Sequence, residues 1–308
     1  MRVASLLPSA TEIAVALGLG PSLVGRSHEC DFPPEVQRLP VCTATKLEKG
    51  LTSIEIDRRV QEIVRQGLSV YEVHAELLRT MRPDVILTQT QCAICAVTPA
   101  DLEESLCAWT GSRPELVSLA PDTLDDVWGD IRRVGAATGR DREAEQVVAE
   151  LRAGLDHIRQ RSQGLDRRPR VAAIEWFEPL MGAGNWIPEL VEIAGGEPLL
   201  ATAGQHSPIL EWDRLVEADP DLIVLMPCGY QIPQSIADIS AVADQPRWRL
   251  LRAVAEGNVF VADGHHFFNR PGPRLVESAQ ILLEIALASQ RGGHSGPGWI
   301  RHSRTDQP

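Results

Sequence analysis

The opening run Arg2-Val3-Ala4-Ser5-Leu6-Leu7-Pro8-Ser9-Ala10-Thr11-Glu12 passes from a strand pattern to a helix pattern at its proline. Val3–Leu7 reads as a short buried strand, and Pro8 stops the apolar run. Ser9-Ala10-Thr11-Glu12 then starts a helix to about Leu17, with Ser9 as N-cap and Glu12 at the capping-box position. Gly18 and Gly20 end it. A buried strand feeding directly into a helix is the first half of a βα unit.

The same alternation continues outward from this unit. Leu23-Val24-Gly25 begins a second strand, and helical stretches follow near Ile54–Arg65 and Val70–Met81. Pro83-Asp84-Val85-Ile86-Leu87 is a buried strand, Pro99–Trp109 a helix and Leu116–Leu119 a strand. Strands alternating with helices favour a parallel sheet. From Leu124 to about Gln163 the chain is almost all helix former, broken at Thr138-Gly139-Arg140-Asp141. After Pro169 a second βα series begins, with strands Val171–Ile174, Leu222–Met226 and Val259–Ala262. Its helices lie near Pro188–Ala194, Trp212–Ala218 and Gly272–Ser289.

The expected fold class is therefore α/β: two Rossmann-like lobes with parallel sheets, bridged by one long backbone helix, with a ligand cleft between the lobes. The expected boundaries are an N-terminal lobe over 1–140, the bridging helix and linker over 141–168 and a C-terminal lobe over 169–290. The polar, Gly- and Ser-rich segment 291–308 is expected to be disordered.

Composition narrows the function. The chain has 308 residues, 30 Lys and Arg against 42 Asp and Glu, and a formal charge of −12. Affinity for nucleic acid comes largely from Lys and Arg, so this balance argues against a phosphate-backbone binder. No apolar run approaches the roughly 20 residues of a spanning helix. Met1 and Arg2 lead straight into the first strand without the long apolar segment of a secretory leader. A cytoplasmic location is the expectation, and there the six cysteines would be thiols, metal ligands or redox groups.

The chemistry is concentrated in the loops that follow strands, where α/β sheets bind ligands. They carry His28, Glu29 and Cys30; Gln89, Gln91, Cys92 and Cys95; Glu175, Trp176 and Phe177; Asn185 and Trp186; and Pro227, Cys228, Gly229 and Tyr230. The last holds Asp263-Gly264-His265-His266-Phe267-Phe268-Asn269-Arg270. Aromatics are 5% of the chain, yet many fall here, which suits a large, planar, partly apolar ligand. Cys30, Cys92, Cys95 and Cys228 all follow expected strands. Their convergence would hold a soft metal or an iron–sulfur cluster, and four buried thiols that never meet is the other reading. Phosphate-loop and dinucleotide fingerprints are absent, and no persuasive catalytic set emerges.

At this point the chain resembles a known family. The opening quoted above, followed by Ala16-Leu17-Gly18-Leu19-Gly20, is similar to the start of periplasmic-binding-protein-like cobalamin and iron-siderophore receptors with a helical backbone. The likeness continues through Arg82–Leu87, Glu189–Glu197 and Ala218–Val224, and closes with Phe268-Asn269-Arg270-Pro271-Gly272-Pro273-Arg274. Within that family the chain looks closest to leaderless cobalamin-binding proteins carrying the His28-Glu29-Cys30 and Gln91-Cys92-x-x-Cys95 loops.

The resemblance implies a ligand held between lobes bridged by one helix, and docking on an ABC transporter permease through acidic residues. Glu103 or Glu104 and Glu217 are the candidates. It implies cobalamin or a related corrinoid as ligand, with Ser9, His28, Glu29, Gln91, Glu175, Trp176, Trp186, His266, Phe268 and Arg270 around it. The cysteine set Cys30, Cys92, Cys95 and Cys228 carries the alternative of a metal or redox protein on the same scaffold. A siderophore-binding importer subunit is a third reading. A cytosolic form would hand its corrinoid to a corrinoid-using enzyme.

Overall fold

The structure, a computed structural model, describes residues 1–48, 50–66, 70–89 and 114–302. Val3, Ala4 and Ser5 form β1 (Val3–Ser5), buried throughout. The first helix, α1 (Pro8–Ala16), begins two residues earlier than expected: Leu7, not Ser9, is its N-cap, extended at φ −151°, and no side chain caps it. Proline at the first helical position presets φ and has no N–H to satisfy, so it displaces Ser9 from the cap into the helix.

The following strands are β2 (Leu23–Arg26), β3 (Thr43–Thr45), β4 (Tyr71–Val73), β5 (Val85–Gln89) and β6 (Glu115–Leu119). The first compact unit is built on a parallel sheet of order β2-β1-β5-β6, with β3 and β4 as a separate antiparallel pair. Helix α2 (Ser53–Arg65) lies where expected. The stretch 70–81, expected as one helix, is instead β4 followed by α3 (Ala75–Met81). Tyr71 and Val73 favour extended backbone, and pairing with Thr43–Thr45 decides it. The expected helix at Pro99–Trp109 lies outside the described residues.

Two helices come next, α4 (Leu124–Thr138) and α5 (Asp141–Ser162), parted at Gly139, whose φ is +65°. At 1.5 Å per residue the 22 residues of α5 extend about 33 Å. Compactness divides the chain into two units. One comprises Met1–Leu51, Arg58–Pro121 and Asp125–Glu150; the other comprises Thr52–Asp57, Asp122–Leu124 and Leu151–Pro308. The division therefore falls inside α5.

The second unit contains β7 (Arg170–Trp176), β8 (Met181–Gly182), α6 (Ile187–Ile193), β9 (Glu197–Leu199), α7 (Trp212–Ala218), β10 (Leu222–Leu225), α8 (Ile232–Asp238), β11 (Val259–Ala262) and α9 (Leu275–Arg291). Its central strands β11, β10, β7 and β9 are parallel neighbours. Every residue of β10 and β11 is buried, as expected for strands covered on both faces. Helix α9 turns Leu275, Ala279, Leu282, Leu283 and Ala286 inward. The gap between α9, α6 and the sheet, lined by Val171, Val191, Leu222, Val224, Leu282 and Ala286, is only about 10 Å³. That is close to one water-sized sphere, so the layers are tightly packed.

The expectation of a disordered tail is corrected over its first part. β12 (Ser295–Gly296) and β13 (Trp299–Arg301) extend this sheet, with Phe260 opposite Arg301 and Val261 opposite Ile300. Trp299 is buried edge-on against Phe260, and its indole N–H donates to Glu284 Oε2 at 3.0 Å. One large aromatic anchor outweighs a polar composition.

Candidate ligand-binding site

In the second unit the carboxyl ends of β7, β10 and β11 are adjacent, so the loops leaving them are forced together. The Cys228 amide donates to the Glu175 carbonyl at 3.0 Å, tying the β10 loop to the end of β7. Beyond it, the Trp176 and Tyr230 rings meet edge-on at 5.5 Å. The His265 amide donates to the Tyr230 carbonyl at 2.9 Å, which ties in the β11 loop.

That β11 loop is a π-type turn, Gly264–Phe268, a conformation that recurs at functional sites. Gly264 makes it possible: a Cβ there would collide with the Pro227 carbonyl oxygen and lie 2.7 Å from that of Met226. Asp263 caps the turn, its Oδ1 accepting the His266 amide at 2.9 Å and its Oδ2 lying 2.7 Å from His266 Nδ1. From the far side, Asn269 Nδ2 donates to the Gly264 carbonyl at 2.7 Å, and Ser278 Oγ to the Phe267 carbonyl at 2.7 Å. His265 and His266 stand edge-to-face at 4.7 Å.

Of the expected site residues, Glu175, Trp176, His266 and Cys228 are half-buried at these strand ends. The others contribute from below. Trp186 is only 6% exposed, and its indole donates to the Phe268 carbonyl at 3.1 Å. Phe268 is 1% exposed. These two brace the turn rather than offering a face. Arg270 is 3% exposed and places Nη2 2.8 Å from His265 Nε2. A guanidinium can only donate, so His265 Nε2 accepts there and its proton belongs on Nδ1.

In the first unit Ser9 is buried within α1. The loop after β2 is folded by Arg26, whose Nη1 donates to the carbonyls of Ser27 and Cys30 at 2.9 and 3.1 Å. His28 and Glu29 stand half-buried on it, with Nε2 and Oε1 4.0 Å apart. His28 Nδ1 lies 2.8 Å from Thr43 Oγ1, and its ring tilts against Tyr71 at 5.6 Å. Burial, with Arg26 and His74 nearby, holds the His28 imidazole below its usual pKa.

Cys30 is 1% exposed, with the Thr11 hydroxyl 3.0 Å from its sulfur. Gln91, Cys92 and Cys95 lie outside the described residues, as do Glu103 and Glu104. Among the described residues, neither Cys30 nor Cys228 belongs to a group of three metal-capable side chains. The iron–sulfur reading gains no support.

Tyr230, Asp263 and His265, named from sequence as strand-end loop residues but not among those placed around the ligand, also stand at these strand ends. The i to i+3 spacing of Asp263 and His266 is that of a capping pair, which was the available signal. Tyr230 and His265 owe their places to the sheet order, which no local pattern encodes.

Residues 3–265 match the family described as "Periplasmic binding protein". The chain is 24% identical over 297 residues to a vitamin B12-binding protein of Pectobacterium carotovorum, covering 96% of this chain and 91% of that one. It is 23% identical over 290 residues to an ABC transporter substrate-binding lipoprotein of Bacillus subtilis, covering 92% and 79% respectively. Among solved structures, a periplasmic heme-binding protein of Pseudomonas aeruginosa superposes with a TM-score of 0.70 at 20% identity, covering 98% of each chain. The two-lobe α/β fold is thus shared. The cytoplasmic expectation is overturned, because the matched relatives are named as lipoprotein or periplasmic proteins.

Proposed function

The chain belongs to the periplasmic binding protein family, and from that premise we propose that it is an ABC-importer substrate-binding protein for cobalamin or a related corrinoid. The observation that carries the reading is the half-buried Trp176 ring, seated on Tyr230 beside the imidazoles of His265 and His266. A corrinoid is wide, flat, apolar on its faces and polar at its rim, with a metal at its centre. An aromatic wall next to nitrogen donors complements all of these properties. The name of the vitamin B12-binding relative, matched over nearly the whole chain, supports the same ligand.

In this reading Trp176 contacts the ring system and Glu175 its polar rim, while Trp186 and Phe268 hold the turn that presents His266. The partner is an ABC transporter permease. No helix among the described residues is long and apolar enough to cross a membrane.

A heme-type macrocycle is the second reading, favoured by the same imidazole pair. Parallel absorption titrations with aquocobalamin and hemin separate the two. Tighter binding of aquocobalamin is expected. Tighter binding of hemin would replace the corrinoid reading with the heme one, and binding of neither would end both.

A further inference from the structure

We propose that the first unit carries a binding site of its own for a phosphate-bearing anion, a three-arginine pocket at the opposite end of its sheet from the His28 loop. Strands β1, β2 and β5 are parallel, so Arg2 before β1 and Arg82 before β5 stand at their amino ends, whereas His28 follows the carboxyl end of β2. There Arg2, Arg79, Thr80, Met81 and Arg82 line an open pocket of about 620 Å³. That volume lies within the range of small-molecule sites.

The pocket gathers positive charge in a chain whose formal charge is −12. Its lining has three guanidinium groups and no carboxylate. Arg82 closes α3 in the left-handed conformation at φ +47°, where glycine is the usual residue. Its amide donates to the carbonyls of Leu78 and Arg79, each at 3.2 Å, and its exposed guanidinium pairs with no described group. Arg2 spends Nε on the Met81 carbonyl at 2.6 Å, which leaves its two Nη groups for the pocket.

Arg79 has a donor in need of an acceptor. Its Nη1 lies 2.9 Å from Glu76 Oε1, but that carboxylate is 84% exposed, and such surface pairs are weak. Its Nε is buried without a hydrogen-bond partner, which costs free energy. A turn of the guanidinium toward an anion in the pocket gives Nε the acceptor it lacks.

The acceptors at this helix end are largely used already. The Met81 carbonyl takes Arg2 Nε, the Glu76 carbonyl takes the Thr80 hydroxyl at 2.9 Å, and Asp84 Oδ2 takes the Arg2 amide at 2.7 Å. The side-chain groups left unspent in the lining are guanidinium donors. A guanidinium binds phosphate oxygens through paired hydrogen bonds, which adds direction to the attraction between charges. Three of them match one phosphate or diphosphate and are too few to follow a nucleic-acid strand.

The test is calorimetric titration of the full chain with inorganic pyrophosphate at low salt, beside sedimentation with vesicles containing phosphatidylglycerol. The two arms separate a free phosphate compound from a lipid headgroup as the source of the anion. Arg82→Asn removes an exposed guanidinium and keeps a residue that accepts the left-handed backbone. Arg2→Gln removes a second guanidinium. Each variant should weaken binding about tenfold, the scale of one charge-assisted hydrogen bond. Pyrophosphate binding that drops in both variants assigns the pocket to a free phosphate compound. Sedimentation with vesicles that is lost in both, without pyrophosphate binding, assigns it to a lipid headgroup. A parent protein that binds neither probe, with pyrophosphate at millimolar concentration, overturns the site. Binding that both variants keep in full overturns it as well.

Discussion

The indole of Trp176 meets the phenol ring of Tyr230 edge-on, with ring centroids 5.5 Å apart and planes at 62°. Tyr230 is buried and Trp176 half-buried, and in the proposed reading the pair is the wall that meets the ligand. The Trp176 indole N–H is spent on the Glu178 carbonyl at 3.1 Å, which fixes the ring. Trp176→Ala should weaken cobalamin binding by about tenfold, the scale of one aromatic contact plus its buried area. Trp176→Phe should recover most of the loss. Equal affinity in all three proteins, measured by absorption titration, would remove this wall from the site.

Gly264 should tolerate no side chain. A Cβ would be driven into the carbonyl oxygens of Met226 and Pro227, which belong to backbone and cannot rotate away. Gly264→Ala should destabilise the protein by about 1–3 kcal/mol, the usual cost of forcing extra volume into a packed site. It should also lower affinity, because it displaces both histidines. Denaturant unfolding that matches the parent would show that the turn is looser than described.

Much of this was legible in local sequence. The strand-to-helix change at Pro8, the buried run Leu222–Leu225 and the break at Gly139 all reflect short-range chemistry, and the structure has them. What failed was decided at long range. Residues 70–73 became a strand because Thr43–Thr45 lay opposite, and 299–301 because β11 had an open edge. The site followed the same rule. Asp263 and His266 are local partners, whereas Trp176 and Tyr230 are joined only by the strand order. Trp186 and Phe268, expected to offer aromatic faces, are buried instead, the Trp186 indole donating to the Phe268 backbone carbonyl.

Asp130 gives the unfolding curve a pH dependence. Burial pushes its carboxyl up to about 6, even with the Arg133 guanidinium beside it, and Oδ2 is buried without a hydrogen-bond partner. A carboxyl raised in the fold favours the native state below its unfolded pKa and loses that contribution as pH rises through 6. About 3 kcal/mol should disappear between roughly pH 4 and pH 7. Asp130→Asn should flatten that part of the profile, and an unchanged slope would exclude Asp130 as its source.

His28 acts in the opposite sense. Its folded pKa is lowered by burial and by the positive charges of Arg26 and His74. The unfolded chain then takes up the proton first, so stability is full above the ordinary value of about 6.5 and falls as pH drops below it. His28→Asn should remove part of this acid-side loss in the ligand-free protein. A variant profile as steep as the parent's would show that His28 is protonated as readily in the fold as in the open chain.

The corrinoid reading is tested most directly by titrating cyanocobalamin into the full chain in a calorimeter. The account predicts saturable heat with one equivalent bound at micromolar affinity or tighter. No heat, and no saturation up to millimolar cyanocobalamin, would contradict it.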